Sequence, residues 1–230
     1  MEKWINQEEL LTMVSTLVAI PSHYNIQGGE AQVAEALEAM ARKEGLKVQK
    51  EEITPGRFNI EISLQGGEQG PHILFCGHMD TVRTEGMEID PYAGYVSDGK
   101  LWGRGSVDMK GGLASMLYSI ILIKRNKLAF KGKVTLIGTV GEECPNQSEG
   151  AYALRKRGQF ADMAIIGEAT ELNIAIAHKG TLSMEVAIKG RAAHSSNPSL
   201  GENAIYKAVE LIHLITQELL PGLVKRSHPL

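Results

Sequence analysis

The chain has 230 residues, of which 43% are hydrophobic and 22% charged, with a formal net charge of −3. These values allow one or two domains with a substantial core and give no electrostatic reason to expect nucleic acid or an anionic membrane as a partner. Two cysteines, Cys76 and Cys144, do not make a disulfide framework, and no run has a signal-peptide layout or membrane-spanning length, so the expected setting is cytoplasmic with reduced thiols.

Asn6 and Glu9 have capping-box spacing, and Leu10, Val14, Leu17 and Val18 then recur at helical intervals until Pro21. A second helix is expected over 29–44, with Val33, Leu37 and Met40 on one face and Gly45 as its stop. Strands are expected over 46–52 and 58–64, then a Gly-rich turn over 65–71 before a strand ending at Cys76. Residues 81–105 show turn chemistry and little periodicity, and so long a loop inside a compact domain is usually functional. A largely apolar helix runs from Gly111 to about Lys124, followed by a strand at 133–140, a helix around 149–157 and a strand at 162–167. The alternation predicts a three-layer α/β domain over 1–175 with a central mixed, mostly parallel sheet. After Glu171 the pattern changes. Leu182, Met184, Val186 and Ile188 alternate as in a half-buried strand, and Ile205, Ala208, Val209 and Ile212 share a helix face. One strand and one helix cannot close a core, so 176–230 is expected to be the first part of a truncated α+β domain.

Three apolar, β-branched runs each end in groups that can hold a cation: HILFC before His78, VTLIGTV before Glu142-Glu143, and MAIIG before Glu168. If these strands are parallel, their carboxyl ends share the edge at which open α/β sheets bind ligands. Asp80, two residues beyond His78, is placed to fix the imidazole's orientation. Asp108 sits in the glycine-rich stretch Gly103–Gly112; it could cap the following helix, but its two oxygens could also bridge cations. Lys110 reads as a surface or loop-ordering charge. Adjacent carboxylates at Glu142 and Glu143 repel each other unless a cation or proton offsets them, and one can ligate while the other moves a proton. Imidazole plus carboxylates without paired cysteines suits a hydrolytic zinc, cobalt or manganese centre rather than a structural zinc. His23, His72, His213 and His228 read as surface or packing residues, His178 as a hinge-ordering group and Cys144 as a bystander thiol.

The segments GHMDTV (77–82), GRGSVDMKGG (103–112), GTVGEE (138–143), GEAT (167–170), HKG (178–180) and GRAAHSS (190–196) closely resemble the metal-dependent amidohydrolase and peptidase family of acetylornithine deacetylase, succinyl-diaminopimelate desuccinylase and glutamate carboxypeptidase. The resemblance implies a catalytic α/β domain with an inserted lid that mediates homodimerisation. It implies two divalent ions, zinc foremost, with His78 and Glu168 on the first, Asp108 bridging and Glu143 on the second. Asp80 would orient His78, Glu142 would be the general base, and His194 would stabilise the oxyanion in a partner subunit's site. It further implies a cis peptide at Asp108-Met109. The family takes another metal-ligating His from a later C-terminal segment, and nothing here matches it, so the second metal site is expected to be short of a ligand and this chain alone weakly active or inactive.

The expected reaction is hydrolysis of the amide of an N-acyl amino acid, of deacetylase or desuccinylase type, with water activated at the metal centre. A dipeptidase or carboxypeptidase acting on short peptides would use the same machinery. The reading of a different class is a non-catalytic metal-binding fragment or pseudoenzyme.

Overall fold

The computed structural model describes residues 4–26, 28–144, 148–158, 160–178, 180 and 182–226; His228 and Lys179 lie outside them. The chain divides into two compact units, Met1–Leu172 and Asn173–Leu230.

The first unit opens with α1 (Gln7–Val18), whose N-terminus is capped by the Asn6 side chain accepting from the Glu9 N–H at 3.1 Å. Helix α2 (Ala31–Lys43) follows and ends before Gly45, which takes the positive φ (66°) that a helix stop favours. Strands β1 (Lys47–Thr54), β2 (Arg57–Gln65) and β3 (Glu68–His78) come next. Strand β3 begins well inside the stretch expected to be a turn, because Glu68 already pairs with Lys131 and a register shift accommodates Gly70 before His72. The loop after β3 carries a small hairpin, β4 (Tyr95–Ser97) and β5 (Lys100–Trp102), and lies against α1, where the Ser15 hydroxyl donates to the Gly94 carbonyl at 2.6 Å. Helix α3 (Lys110–Arg125), strand β6 (Lys131–Thr139), helix α4 (Glu149–Lys156) and strand β7 (Met163–Ile166) complete the unit.

The five long strands form one sheet in the order β1-β2-β6-β3-β7. β1/β2 and β2/β6 pair antiparallel, while β3 pairs parallel with both β6 and β7, so only β2 opposes the common direction. Side chains alternate across the pleat. Ile60, Ile62 and Leu136 enter the large core made with α1, α2 and α3, whereas Leu74 and Ile137 pack with Leu154 of α4 on the opposite face. The result is the expected three-layer α/β fold. Helix α3 packs close to the end of β7: a Cβ on Gly112 would stand 2.3 Å from the Gly167 carbonyl oxygen, so only glycine fits there.

In the second unit, residues 182–190 form no strand, contrary to the alternation of Leu182, Met184, Val186 and Ile188. A strand needs a hydrogen-bonding neighbour, and among the described residues the unit provides only an isolated bridge between Arg191 and Glu202. Helix α5 (Ala204–Leu214), capped by the Asn203 side chain on the Ile205 N–H, continues through a π turn (Ile215–Leu219) into α6 (Leu220–Val224). Among the described residues no helix is long and apolar enough to cross a membrane.

Candidate metal centre

Parallel pairing puts the carboxyl ends of β3, β6 and β7 at one edge, with His78 opposite Thr139 and Cys76 opposite Ile166. The chain leaves each strand there, which delivers His78, Glu142-Glu143 and Glu168 to a common place. Asp108 arrives from the segment before α3, immediately ahead of a cis peptide bond to the buried Met109.

His78 is buried, and its two ring nitrogens face different groups. Nδ1 lies 3.0 Å from the main-chain carbonyl oxygen of Asp80, which can only accept, so Nδ1 carries the proton. Nε2 faces acidic groups, 2.9 Å from Asp108 Oδ1 and 3.8 Å from Glu168 Oε2. Two sets of potential ligand atoms converge within 4.8 Å: His78, Asp108 and Glu168 in one, and His78, Glu142 and Glu143 in the other. The second set holds Glu142 where Asp108 was expected beside Glu143.

The role expected of the Asp80 carboxylate is to orient His78. In the structure the nearer contact to the ring is the Asp80 carbonyl, with the carboxylate Oδ1 at 3.5 Å. The fully buried carboxylate instead accepts from the main-chain N–H groups of Glu142, at 3.2 Å, and Glu143, at 2.8 Å. It therefore ties the end of β6 to the end of β3. No pattern along the chain signals this bond, because the donors are backbone groups 62 and 63 residues away.

Lys110 is not a surface charge. It is buried, its ammonium donates to the Ile20 carbonyl at 2.6 Å, and burial pulls its pKa down to about 8. Cys144 lies beside the site, 3.7 Å from an Arg57 nitrogen. His72 packs away from the site, bonded to Thr135 and Phe160. His194 belongs to the second unit, where its exposed ring accepts from the Ser196 N–H at 3.2 Å.

The electrostatics fit a divalent cation. Burial acts to lower the His78 pKa, but the Asp80 hydrogen bond and the charges of Asp80, Asp108 and Glu168 outweigh it and raise the value to about 9. Burial, followed by the adjacent Asp108, pushes Glu168 up to about 7 and Glu143 upward as well. Carboxyls whose charged forms are disfavoured by burial and by one another lack a counter-charge, and a divalent ion supplies it. One imidazole whose Nε2 faces carboxylate oxygens is a donor set suited to a divalent cation.

A three-layer α/β unit that gathers one imidazole and several acids at its sheet edge belongs to the class of metallohydrolase folds. More specifically, residues 74–212 match the model of peptidase family M20/M25/M40, and the chain belongs to that family. It is 32% identical over 219 residues to a probable succinyl-diaminopimelate desuccinylase of Staphylococcus epidermidis, covering 93% of this chain and 52% of the relative. Among solved structures, it is similar to the aminopeptidase PepT of Bacillus cereus, with a TM-score of 0.64, 27% identity and coverage of 91% of this chain and 57% of that one. A tripeptidase of Staphylococcus aureus gives a TM-score of 0.63 at 25% identity, covering 90% and 56%. The chain spans about half the length of the curated relatives it matches.

Proposed function

We propose that the chain carries the catalytic half-site of a dinuclear-metal hydrolase that cleaves the amide bond of a small N-acyl amino acid. The observation that supports this reading is that His78 converges with Asp108 and Glu168 in one set of potential ligand atoms and with Glu142 and Glu143 in another. His78, Asp108 and Glu168 would hold one ion, and Glu143 together with Asp108 the other. When bound, divalent ions polarise a carbonyl and acidify water.

The chain's own residues supply the remaining work. Glu142 takes a proton from the attacking water and delivers it to the departing nitrogen, so that the amine leaves neutral. Asp80 holds the Glu142 and Glu143 backbone in place for that transfer and, through its carbonyl, keeps the His78 proton on Nδ1. A cavity of about 190 Å³ lined by Val82, Arg104, Asp108 and Glu143 lies beside these residues. On resemblance we also assign His194 to oxyanion stabilisation, the second unit to homodimer formation and the cytoplasm as the location.

Peptide hydrolysis is the second reading, favoured by the similarity to structures described as a tripeptidase and an aminopeptidase. Assaying the zinc-loaded chain on N-succinyl and N-acetyl amino acids alongside di- and tripeptides separates the two. Faster turnover of the peptides would reject the N-acyl assignment. Absence of both turnover and metal uptake would leave the non-catalytic reading. Glu142→Gln should lower any turnover by about 10²–10⁴-fold while the chain still takes up metal, and unchanged turnover would remove Glu142 as the base.

A further inference from the structure

The turn that presents Glu142 and Glu143 is held by more than Asp80. The chain leaves β6 and bends at Gly141, whose φ of +75° suits only glycine at low cost. The two N–H groups ahead of Glu142 are also accepted by side chains from distant elements: Val140 N–H donates to Asn59 Oδ1 at 3.1 Å, and Gly141 N–H to Glu30 Oε1 at 3.0 Å. Four consecutive amides, from 140 to 143, are thereby fixed by Asn59, Glu30 and Asp80.

Glu30 is the unexpected member. It stands at the N-cap position of α2, yet its side chain does not cap that helix. Its carboxylate is wholly buried, which is costly without a counter-charge. Arg57, at the start of β2, grips both oxygens, Nε to Oε2 at 2.8 Å and Nη2 to Oε1 at 2.6 Å. The same guanidinium reaches Glu149 Oε2 at 3.3 Å and Cys144 Sγ at 3.7 Å, one on each side of residues 145–147. Because β2 runs opposite to β6, with Ile60 facing Gly138, the start of β2 lies at the same sheet edge as the metal centre.

We infer that the buried Glu30–Arg57 pair is a positioning device for the Glu142-Glu143 turn, setting how both carboxylates meet the cation. This rests on the proposed metal centre. Neither residue is hydrogen-bonded to the ligand set; Glu30 acts through the backbone amide of Gly141, and Arg57 acts through Glu30 and through Cys144 beside Glu143.

The test is titration of the full chain with Zn²⁺ and Co²⁺, combined with amide hydrogen exchange. Glu30→Gln keeps the shape but opposes an amide NH₂ to the guanidinium. It should weaken metal affinity about 10–100-fold, the range found when groups that support metal ligands are changed. It should also alter the Co²⁺ absorption spectrum and speed exchange at Gly141. Arg57→Lys keeps the charge without the two-pronged grip; it should show a smaller effect in the same direction and carries the test if Glu30→Gln does not fold. Arg125→Gln, which breaks the ion pairs to Glu9 and Glu44 away from the site, should lower thermal stability alone. Wild-type metal affinity and spectrum in a folded Glu30→Gln or Arg57→Lys chain would overturn the inference, as would an equal loss in Arg125→Gln. If the wild-type chain takes up no divalent ion, the proposed function falls too; normal wild-type uptake with unmoved variants removes this inference alone.

Discussion

The two units handle apolar side chains in opposite ways. In Met1–Leu172, helices α1, α2 and α3 lay their apolar faces on Ile60, Ile62 and Leu136 of the sheet and bury a continuous core. In Asn173–Leu230 no described residue is buried, and Ile205, Val209 and Ile212, a helix face as apolar as that of α1, stay exposed. Even within the first unit, burial fades towards β7, where Met163, Ile165 and Ile166 are exposed on an edge strand. The contrast teaches that amphipathic periodicity states what an element needs, whereas burial depends on whether a second layer is there to meet it.

Truncation in each core should break or sharpen this contrast most strongly. Leu117, fully buried in α3, should cost about 2–5 kcal/mol when changed to alanine, because a cavity remains after the methyl groups are lost. Val209→Ala, at an exposed site, should stay within about 0.5 kcal/mol. Denaturant melts of the two variants measure both, and equal losses would refute the difference between the units.

The metal-free chain should next show a pH dependence located in the first unit. His78 has a pKa of about 9 in the folded chain against an ordinary 6.5, and Glu168 one of about 7 against 4.5. Both values are raised, so folding binds protons. The stabilisation is complete below the ordinary values and is lost as pH rises through about 7 for Glu168 and about 9 for His78. Glu168 is substantially exposed, so its share is reduced by solvent screening. Stability of the chelated chain should therefore decline from mildly acid to alkaline pH, while Zn²⁺, which binds the deprotonated ligands, should oppose the decline. Stability that rises from pH 6 to 9 without metal would contradict the charge arrangement at His78.

The smallest expected effect compares two helix caps. Asn6 and Asn203 each accept from a first-turn N–H, and loss of such a bond typically costs about 1 kcal/mol. Asn6→Ala should lower the global stability of the first unit by that amount, since α1 belongs to its core. Asn203→Ala should be visible only as faster amide exchange at the start of α5. An equal shift of the main unfolding transition in both variants would show that the second unit contributes to the core after all.

The sheet and the main acidic cluster were legible because their signals are local. β-Branched runs marked β3, β6 and β7, and the chemistry sits directly after each run, so parallel pairing suffices to bring His78, Glu142, Glu143 and Glu168 together. The early start of β3 was hidden because glycines at 66, 67 and 70 look like a turn until a neighbouring strand accepts them. The alternating residues at 182–188 misled for the converse reason, since they have the pattern of a strand without a partner. Of the two readings of Lys110, the loop-ordering one fits its bond to the Ile20 carbonyl, and its burial is invisible in the sequence because that carbonyl is not close in the chain.

Side-chain type and periodicity therefore decided which residues can bind a cation and which strand ends carry them, since those properties reside in each residue and its near neighbours. Only the folded arrangement decided that Asp80 serves the backbone of Glu142 and Glu143, that Glu30 gives up its own helix cap for Gly141 and Arg57, and that the second unit's apolar faces go uncovered. Hydrogen bonds to main-chain amides and the burial of surface depend on what lies across space, and a backbone N–H looks the same at every position of a sequence.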